Sequence, residues 1–418
     1  MSTTTRPVRL LTGTILSLLA IVLTGCAGAV TVEPSVTPTP AAAAAFGPVQ
    51  RATGAPVAVG FMGVGLSADP SEPTRAATAV AGYANTYLGG LGGHSVQVVP
   101  CEDRGTPAGA QACGEQFVRE GVVAVAVSTS SQVDSMLPAV RDAGIPVLVN
   151  LAGTEAVLRS PGVFVLRNPL SLYGTAAGYA RARDLGAVVV VIPDVPSAAG
   201  PARALAPPLF ANAGGTATVL AVALNATDFG PQIEDAERTP PDMYLVAGDV
   251  NFCAAAISAI REAGSTARVV TADNCVGEDR GASIKGGLNG LTIITQSVLD
   301  PDVPETVLFT AVRETYGDGL GVSAQSVGGY QTMLSLTRVV NAVKPADVTP
   351  ATVAAAITQG PPTPYPLGGG AEFACNGQAV PQISPNICSA AGFVATANAD
   401  GVLSDYQPID TGGIYRLG

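Results

Sequence analysis

The feature that most constrains this chain is a rhythm. From Ala55 onward, short and nearly unbroken apolar runs alternate with longer amphipathic stretches. The runs are PVAVGF, SVQVVP, VVAVAVS, IPVLVNL and VFVLRN, then AVVVVIP, ATVLAVAL, DMYLVAG, ARVVTAD and LTIITQS. Val and Ile dominate them. A strand with one wet face alternates apolar and polar residues. A continuous run needs both faces covered, as in a parallel sheet sandwiched by helices. The stretches between, such as EPTRAATAVAGYANTYL, PAGAQACGEQFVRE, QVDSMLPAVRDAG, GTAAGYARARDLG and NFCAAAISAIREAG, read as helices, and several end at Gly, which closes helices. The pattern is α/β and doubly wound. Roughly ten strands overfill one open sheet. Two parallel-sheet lobes are therefore expected, with the break near Asn168, Pro169 and Gly174.

From Pro304 the rhythm changes. PETVLFTAVRETYG and SAQSVGGYQTMLSLTRVVNAV are predicted helices with little strand between them. A Pro- and Gly-rich end follows, then two expected short strands, GFVATAN and GGIYRL.

The opening differs from the body. Arg6 and Arg9 precede an apolar run from Leu10 to Leu23. That run is shorter than the roughly 20 residues a membrane span needs. A basic start, an apolar middle and small residues at the end describe a secretory signal over residues 1–25. Leu23-Thr24-Gly25-Cys26 resembles the bacterial lipobox. That resemblance implies acylation of Cys26 and a lipid anchor on the extracytoplasmic face of the cell membrane. Residues 26–54 are rich in Ala, Pro, Thr and Val, a composition expected of a flexible linker.

Setting Cys26 aside leaves six of the seven cysteines: Cys101, Cys113, Cys253, Cys275, Cys375 and Cys388. Export takes them to a disulfide-permissive compartment. Proximity in sequence suggests Cys101–Cys113, Cys253–Cys275 and Cys375–Cys388, although spacing alone leaves the connectivity open. Zinc is the competing use. No Cys-x-x-Cys occurs and His94 is the single histidine, so no metal is expected.

Net charge is −11, which argues against nucleic acid and against binding to an anionic membrane surface. Signatures of catalysis are missing. There is no Gly-x-Ser-x-Gly elbow and no phosphate-binding loop. Gly60, Gly63 and Gly65 lack dinucleotide-loop spacing. His94 sits in a glycine turn. The chain is expected to be no enzyme and to need no cofactor.

What remains is a set of polar turns at strand carboxyl ends, where open α/β sheets bind ligands. The third run ends in Ser128-Thr129-Ser130-Ser131 and the fourth in Ala152-Gly153-Thr154. Hydroxyls and backbone N–H groups at helix starts suit a carboxylate, and equally suit plain helix capping. In the second half, Asp249 with Asn251, and Asp273 with Asn274, occupy strand ends. Either aspartate suits an ammonium or a cap.

Over residues 55–406 the chain resembles the periplasmic leucine/isoleucine/valine-binding proteins, the type I solute-binding proteins of ABC importers. The residues that carry the likeness are PVAVGF, Cys101 with Cys113, VSTSSQ, IPVLVNLAGTE, LVAGDVNF, VVTAD and GGYQTMLSLTRVVNAV. The resemblance implies two α/β lobes joined by three crossovers and closing on a small ligand. It implies lobe 1 from residues 55–168 and 298–345, and lobe 2 from 169–297 and 346–418. It implies that Ser130 or Ser131, with Ala152 and Thr154, holds an amino acid's carboxylate, and that Asp273 holds the ammonium; Asp249, from its place at a strand end, is a second candidate for the ammonium. The family's aromatics are replaced by Ala198 or Ala199 and by Asp249, which leaves room for a more polar or larger ligand. The implied partners are that small ligand and the subunits of an ABC permease. A lipid-anchored sensor of the same fold, feeding a signalling partner, is the alternative.

Overall fold

The computed structural model describes residues 37–66, 69–226, 228–276 and 284–416. The expected signal peptide and Cys26 lie outside them. The first half alternates β1 (Gly54–Gly63), α2 (Glu72–Tyr87), β2 (His94–Glu102), α3 (Pro107–Arg119), β3 (Ala124–Thr129), α4 (Val133–Asp142), β4 (Val147–Leu151), α5 (Glu155–Arg159) and β5 (Val163–Val165), after a leading helix α1 (Pro40–Phe46). The second runs α6 (Ser171–Ala182), β6 (Ala187–Pro193), α7 (Pro196–Asn212), β7 (Thr216–Val222), α8 (Gly230–Ala236), β8 (Met243–Val246), α9 (Val250–Glu262), β9 (Arg268–Ala272) and β10 (Thr292–Thr295). Helices α10 (Pro304–Tyr316), α11 (Ala324–Val343) and α12 (Pro350–Gln359) follow, then β11 (Thr363–Pro364), β12 (Glu372–Phe373), β13 (Phe393–Ala397) and β14 (Leu403–Pro408).

The ten apolar runs are the first ten strands. They form two sheets, as expected: β2-β1-β3-β4-β5, and β14-β13-β10-β9-β8-β6-β7. The first is all parallel. The second is parallel through β6–β10 and gains β13 and β14 as antiparallel strands. Burial follows sheet position. The inner strands β3, β4 and β8 are apolar on both faces and buried on both. The edge strand β7 is exposed or half-buried along most of its length, with only Val222 buried. Each sheet has a hydrophobic core on either face.

Three details depart from the sequence expectations. The segment expected to be a loose linker contains α1. Thr39 caps it by accepting from the Ala42 N–H at 3.2 Å, Pro40 starts it, and the alanine run has high helix propensity. Its Phe46 is buried among Tyr83, Tyr87 and Tyr316, with ring centroids 5.2, 4.7 and 6.0 Å away. One buried aromatic thus docks the end of the tether on the body. Second, Gly412–Tyr415, the GGIY of GGIYRL, is a turn rather than a strand, and LSDYQP forms β14 instead. Gly413 takes a positive φ of 78°, and Ile414 and Tyr415 are buried as plugs under the second sheet. Third, the sequence boundary at 346 does not match the packing. Val353, Ala356 and Ile357 sit on one face of α12 and share the core of α2 and α11 under the first sheet. Residues Cys375–Cys388 straddle both cores, and the chain joins the second sheet only at β13.

The three disulfides are those that proximity suggested. Cys101–Cys113 ties β2 to α3, Cys253–Cys275 ties α9 to the turn after β9, and Cys375–Cys388 staples the tail. They close short loops, each worth about 3 kcal/mol in the chain-entropy account.

Candidate functional site

The first sheet brings two turns together by register. Thr129 of β3 pairs with Leu151 of β4, so Ser130 and Ala152 leave the sheet side by side. The hydroxyls of Ser130, Ser131 and Thr154 already have partners. Ser130 is buried and its Oγ donates to a carboxylate oxygen of Asp103, while accepting from the Gln132 N–H at 2.9 Å. Asp103 is fully buried and also accepts from the Gly105 N–H at 2.8 Å. Thr154 caps α5, accepting from the Val157 N–H at 3.3 Å, and donates to Asp134 Oδ1 at 2.6 Å. Ser131 is exposed and accepts from Gln132 Nε2 at 3.0 Å. Ala152 is half-buried against the core under α3 and α4.

Sequence reasoning missed the neighbouring strand end. Glu102 closes β2, and its carboxylate gathers the Ser71 N–H at 3.0 Å, the Ser71 hydroxyl at 2.8 Å and the Thr74 hydroxyl at 2.7 Å. It thereby covers the start of α2, where a helix N-terminus favours an anion. Gly63 and Gly65 allow this approach, since a Cβ on either would come within 2.5 and 2.8 Å of Glu102 Oε2. The signal was legible: CEDRG directly follows an apolar run.

The second sheet supplies the two aspartates. Asp249 is the N-cap of α9, its Oδ1 accepting from the Asn251 and Phe252 N–H groups at 2.9 and 3.0 Å. The capping use considered from sequence is the one it has. Asp273 follows β9 and is exposed; the Thr295 hydroxyl donates to its Oδ2 at 3.0 Å. Asn274 Nδ2 donates to the Gly248 carbonyl at 3.2 Å, holding the β8 and β9 turns together. Tyr406 of β14, also missed, stands close by. Burial raises its phenol above the usual tyrosine value, the charges of Asp300 and Asp273 add to this, and a hydrogen bond to the Leu299 backbone opposes it.

Two cavities lie elsewhere. One of about 470 Å³ is lined by residues such as Gln378, Thr411 and Tyr415, and one of about 270 Å³ by Arg181, Asp184 and Phe210. Neither is lined by the serine, threonine or aspartate turns described above. His94 is equally remote, its Nδ1 paired with the Ala55 carbonyl at 2.8 Å at the amino-terminal end of the first sheet. What the strand-end turns can do is accept hydrogen bonds. Glu102, Asp103 and Asp134 edge the first sheet, and Asp249 and Asp273 the second.

The sequence model of the periplasmic binding protein family matches residues 60–385. The chain belongs to that family. Its members are binding proteins, not enzymes. No curated protein matches the sequence significantly. Among solved structures, this periplasmic binding protein resembles a putative branched-chain amino acid ABC transporter protein of Rhodospirillum rubrum, with 18% identity and a TM-score of 0.67 over 85% of this chain and 100% of that one. It resembles a solute-binding protein of an ABC transporter from Rhodopseudomonas palustris in complex with p-hydroxybenzoic acid, at 19% identity and TM-score 0.64 over 86% and 99%. It also resembles the branched-chain amino acid binding protein LivJ of Streptococcus pneumoniae in complex with isoleucine, at 17% identity and TM-score 0.62 over 84% and 99%. At these identities the likeness speaks for the fold. It agrees with the leucine/isoleucine/valine-binding resemblance read from sequence.

Proposed function

We propose that this chain is a lipid-anchored, extracytoplasmic solute-binding protein that captures a small amino-acid-like ligand and delivers it to an ABC permease. Its first lobe is the β1–β5 sheet with α10–α12, and its second the β6–β10 sheet with β13 and β14. The ligand lies between their strand carboxyl ends. The observation that carries the reading is Asp273. It is exposed at a strand end, oriented by Thr295, with Tyr406 nearby, and it suits an ammonium group. The carboxylate end has weaker support. Ser130 and Thr154 direct their protons to the chain's own carboxylates, so an incoming carboxylate relies on Ser131 and on backbone N–H groups of the Ala152–Thr154 turn.

A thermal-shift screen on the soluble body tests this. The probes are sets of three: an amino acid, the matching acid without its amine, and the matching amine without its acid. A ligand at 100 times its Kd stabilises by about 2.7 kcal/mol, a shift of a few degrees for a body this size. The amino acid and the amine are expected to stabilise and the acid to do nothing. Stabilisation by the acid alone sinks the role of Asp273. For the anchor, Cys26→Ala is expected to release the protein from the membrane fraction or to block its maturation. Unchanged fractionation would remove Cys26 from that role.

A further inference from the structure

The chain passes between the sheets three times: after β5, after β10, and between β12 and β13. One buried amide touches the second of these crossovers and, through its neighbour, the first. Gln331 lies in the middle of α11 and is 0% exposed. Its Nε2 donates to Ser297 Oγ at 3.1 Å, in the second crossover, and to the Pro366 carbonyl at 3.0 Å, before the third. Its Oε1 accepts from Asn150 Nδ2 at 3.2 Å. Asn150 is the penultimate residue of β4, is 1% exposed, and donates its other amide hydrogen to the Gly328 carbonyl at 3.0 Å. The Asn150 backbone carbonyl accepts from the Arg167 N–H at 2.9 Å, which is the first crossover. The β11–β12 turn also pairs directly with the second crossover, the Val298 N–H donating to the Leu367 carbonyl at 2.7 Å.

The network continues to the site. The Ser297 N–H donates to Thr295 Oγ1 at 3.1 Å, and Thr295 is the residue that orients Asp273. An unbroken path therefore runs from Asn150, beside the Ala152–Thr154 turn, through Gln331, Ser297 and Thr295 to Asp273. We infer that Gln331 is a positioning residue: it pins the first two crossovers and the β11–β12 turn at one point and fixes where the second sheet's rim stands relative to the first.

The chemistry explains the choice of residue. A primary amide offers two donors and an acceptor in one plane, which is the set these three contacts need. No hydrocarbon of its size satisfies Ser297, Pro366 and Asn150 together, and burial makes each unpaired partner costly. Around the hub, Asn150 Oδ1 and Ser128 Oγ are buried without a partner. The hub therefore has unused bonding capacity on the first-sheet side, which a shifted hinge can take up as a second discrete arrangement.

The inference rests on the proposed site only through Asp273, and its test needs no ligand. Distance labels are introduced at exposed Glu120 and Thr239, one beside each sheet, through non-canonical amino acids so that the disulfides stay intact. The interlobe distance distribution is then measured by pulsed dipolar spectroscopy, and amide exchange by mass spectrometry. Gln331→Met is expected to broaden the distribution and to raise exchange at Arg167 and Val298 by about tenfold or more, well beyond any rise within β6 or β8. Ser297→Ala removes one partner with little change in packing and is expected to show the same effect in smaller degree; it serves if Gln331→Met fails to fold. Asp273→Ala is expected to leave the distribution unchanged, so failure of the ligand reading and failure of the hub are separable. A lowered melting temperature with an unchanged distribution and no selective exchange at the crossovers would overturn the inference and leave Gln331 as an ordinary buried amide.

Discussion

The strand-end turns of the two sheets contain the same kinds of residue and use them in opposite ways. In the first sheet, the hydroxyls of Ser130 and Thr154 donate to carboxylates of their own lobe, Asp103 and Asp134. In the second, Asp249 accepts two backbone N–H groups as a helix cap, whereas Asp273 stands exposed with one hydroxyl, that of Thr295, donating to it. A polar side chain at a strand end is thus no sign of a site by itself. What separates the structural from the ligand-facing residue is how much of its bonding capacity the chain itself has filled.

The sharpest test of that contrast is Asp103. Its buried carboxylate receives Ser130 and the Gly105 N–H, both charge-assisted bonds. Asp103→Ala is expected to lower folding stability by about 3 kcal/mol, measured as a shift in the denaturation midpoint with the denaturant slope unchanged. The alanine would strand the buried Ser130 hydroxyl and take the acceptor from the Gly105 N–H. Near-normal stability combined with lost ligand binding would break the comparison, because Asp103 would then belong to the site.

The next test is on the opposite rim. Asp273→Ala is expected to weaken binding of the best amine-bearing probe ten- to a hundredfold, about 1.5–3 kcal/mol, while stability moves by less than about 0.5 kcal/mol. Titration calorimetry and melting on the same preparation separate the two effects. A large loss of stability would make Asp273 another internal partner and erase the distinction between the rims.

These contrasts mark what was legible in the sequence. The strands were, because a Val- and Ile-rich run buried on both faces writes its environment into every residue: AVVVVIP is β6 to the residue. The disulfides were as well, since each pairs cysteines near in the chain, 12, 22 and 13 residues apart. Helix α1 was not. Its stability comes from Phe46 entering a cluster of tyrosines far away in sequence, and a linker composition says nothing of that. The site was half legible. Position at a strand end follows from the βα rhythm, but partners such as Asp103 for Ser130 or Gln331 for Asn150 arrive from other elements. The first pair is separated by 27 residues and the second by 181. Local pattern carries no trace of such distances.

Thr154 lies between the two kinds of residue. It caps α5 and also binds Asp134, so Thr154→Ala removes a cap and a hydroxyl-to-carboxylate bond on an exposed turn. The expected loss is about 1–2 kcal/mol of stability. Thr154→Ser keeps both bonds and is expected to restore most of it. If Thr154→Ala costs affinity for the probe but no stability, the first-sheet turn binds ligand after all, and the hydroxyl must rotate away from Asp134 when ligand arrives.

The smallest effect is expected at Asp249, and it bears most directly on why one aspartate is read as a cap and the other as a ligand residue. Asp249 Oδ1 alone receives the Asn251 and Phe252 N–H groups at the start of α9, a helix of 13 residues whose Cys253 is also held by disulfide to Cys275. Replacing the cap with alanine costs about 1 kcal/mol in most helices. The disulfide keeps the first turn of α9 in place, so the loss here should fall at or below that figure. Asparagine caps nearly as well as aspartate, so Asp249→Asn should be close to neutral in stability. The pair of variants therefore separates shape from charge. If Asp249 is only a cap, Asp249→Asn leaves both melting and probe affinity at wild-type values. A fall in affinity with melting unchanged would mean that its negative charge reaches the ligand, and the ammonium would then be shared between Asp249 and Asp273.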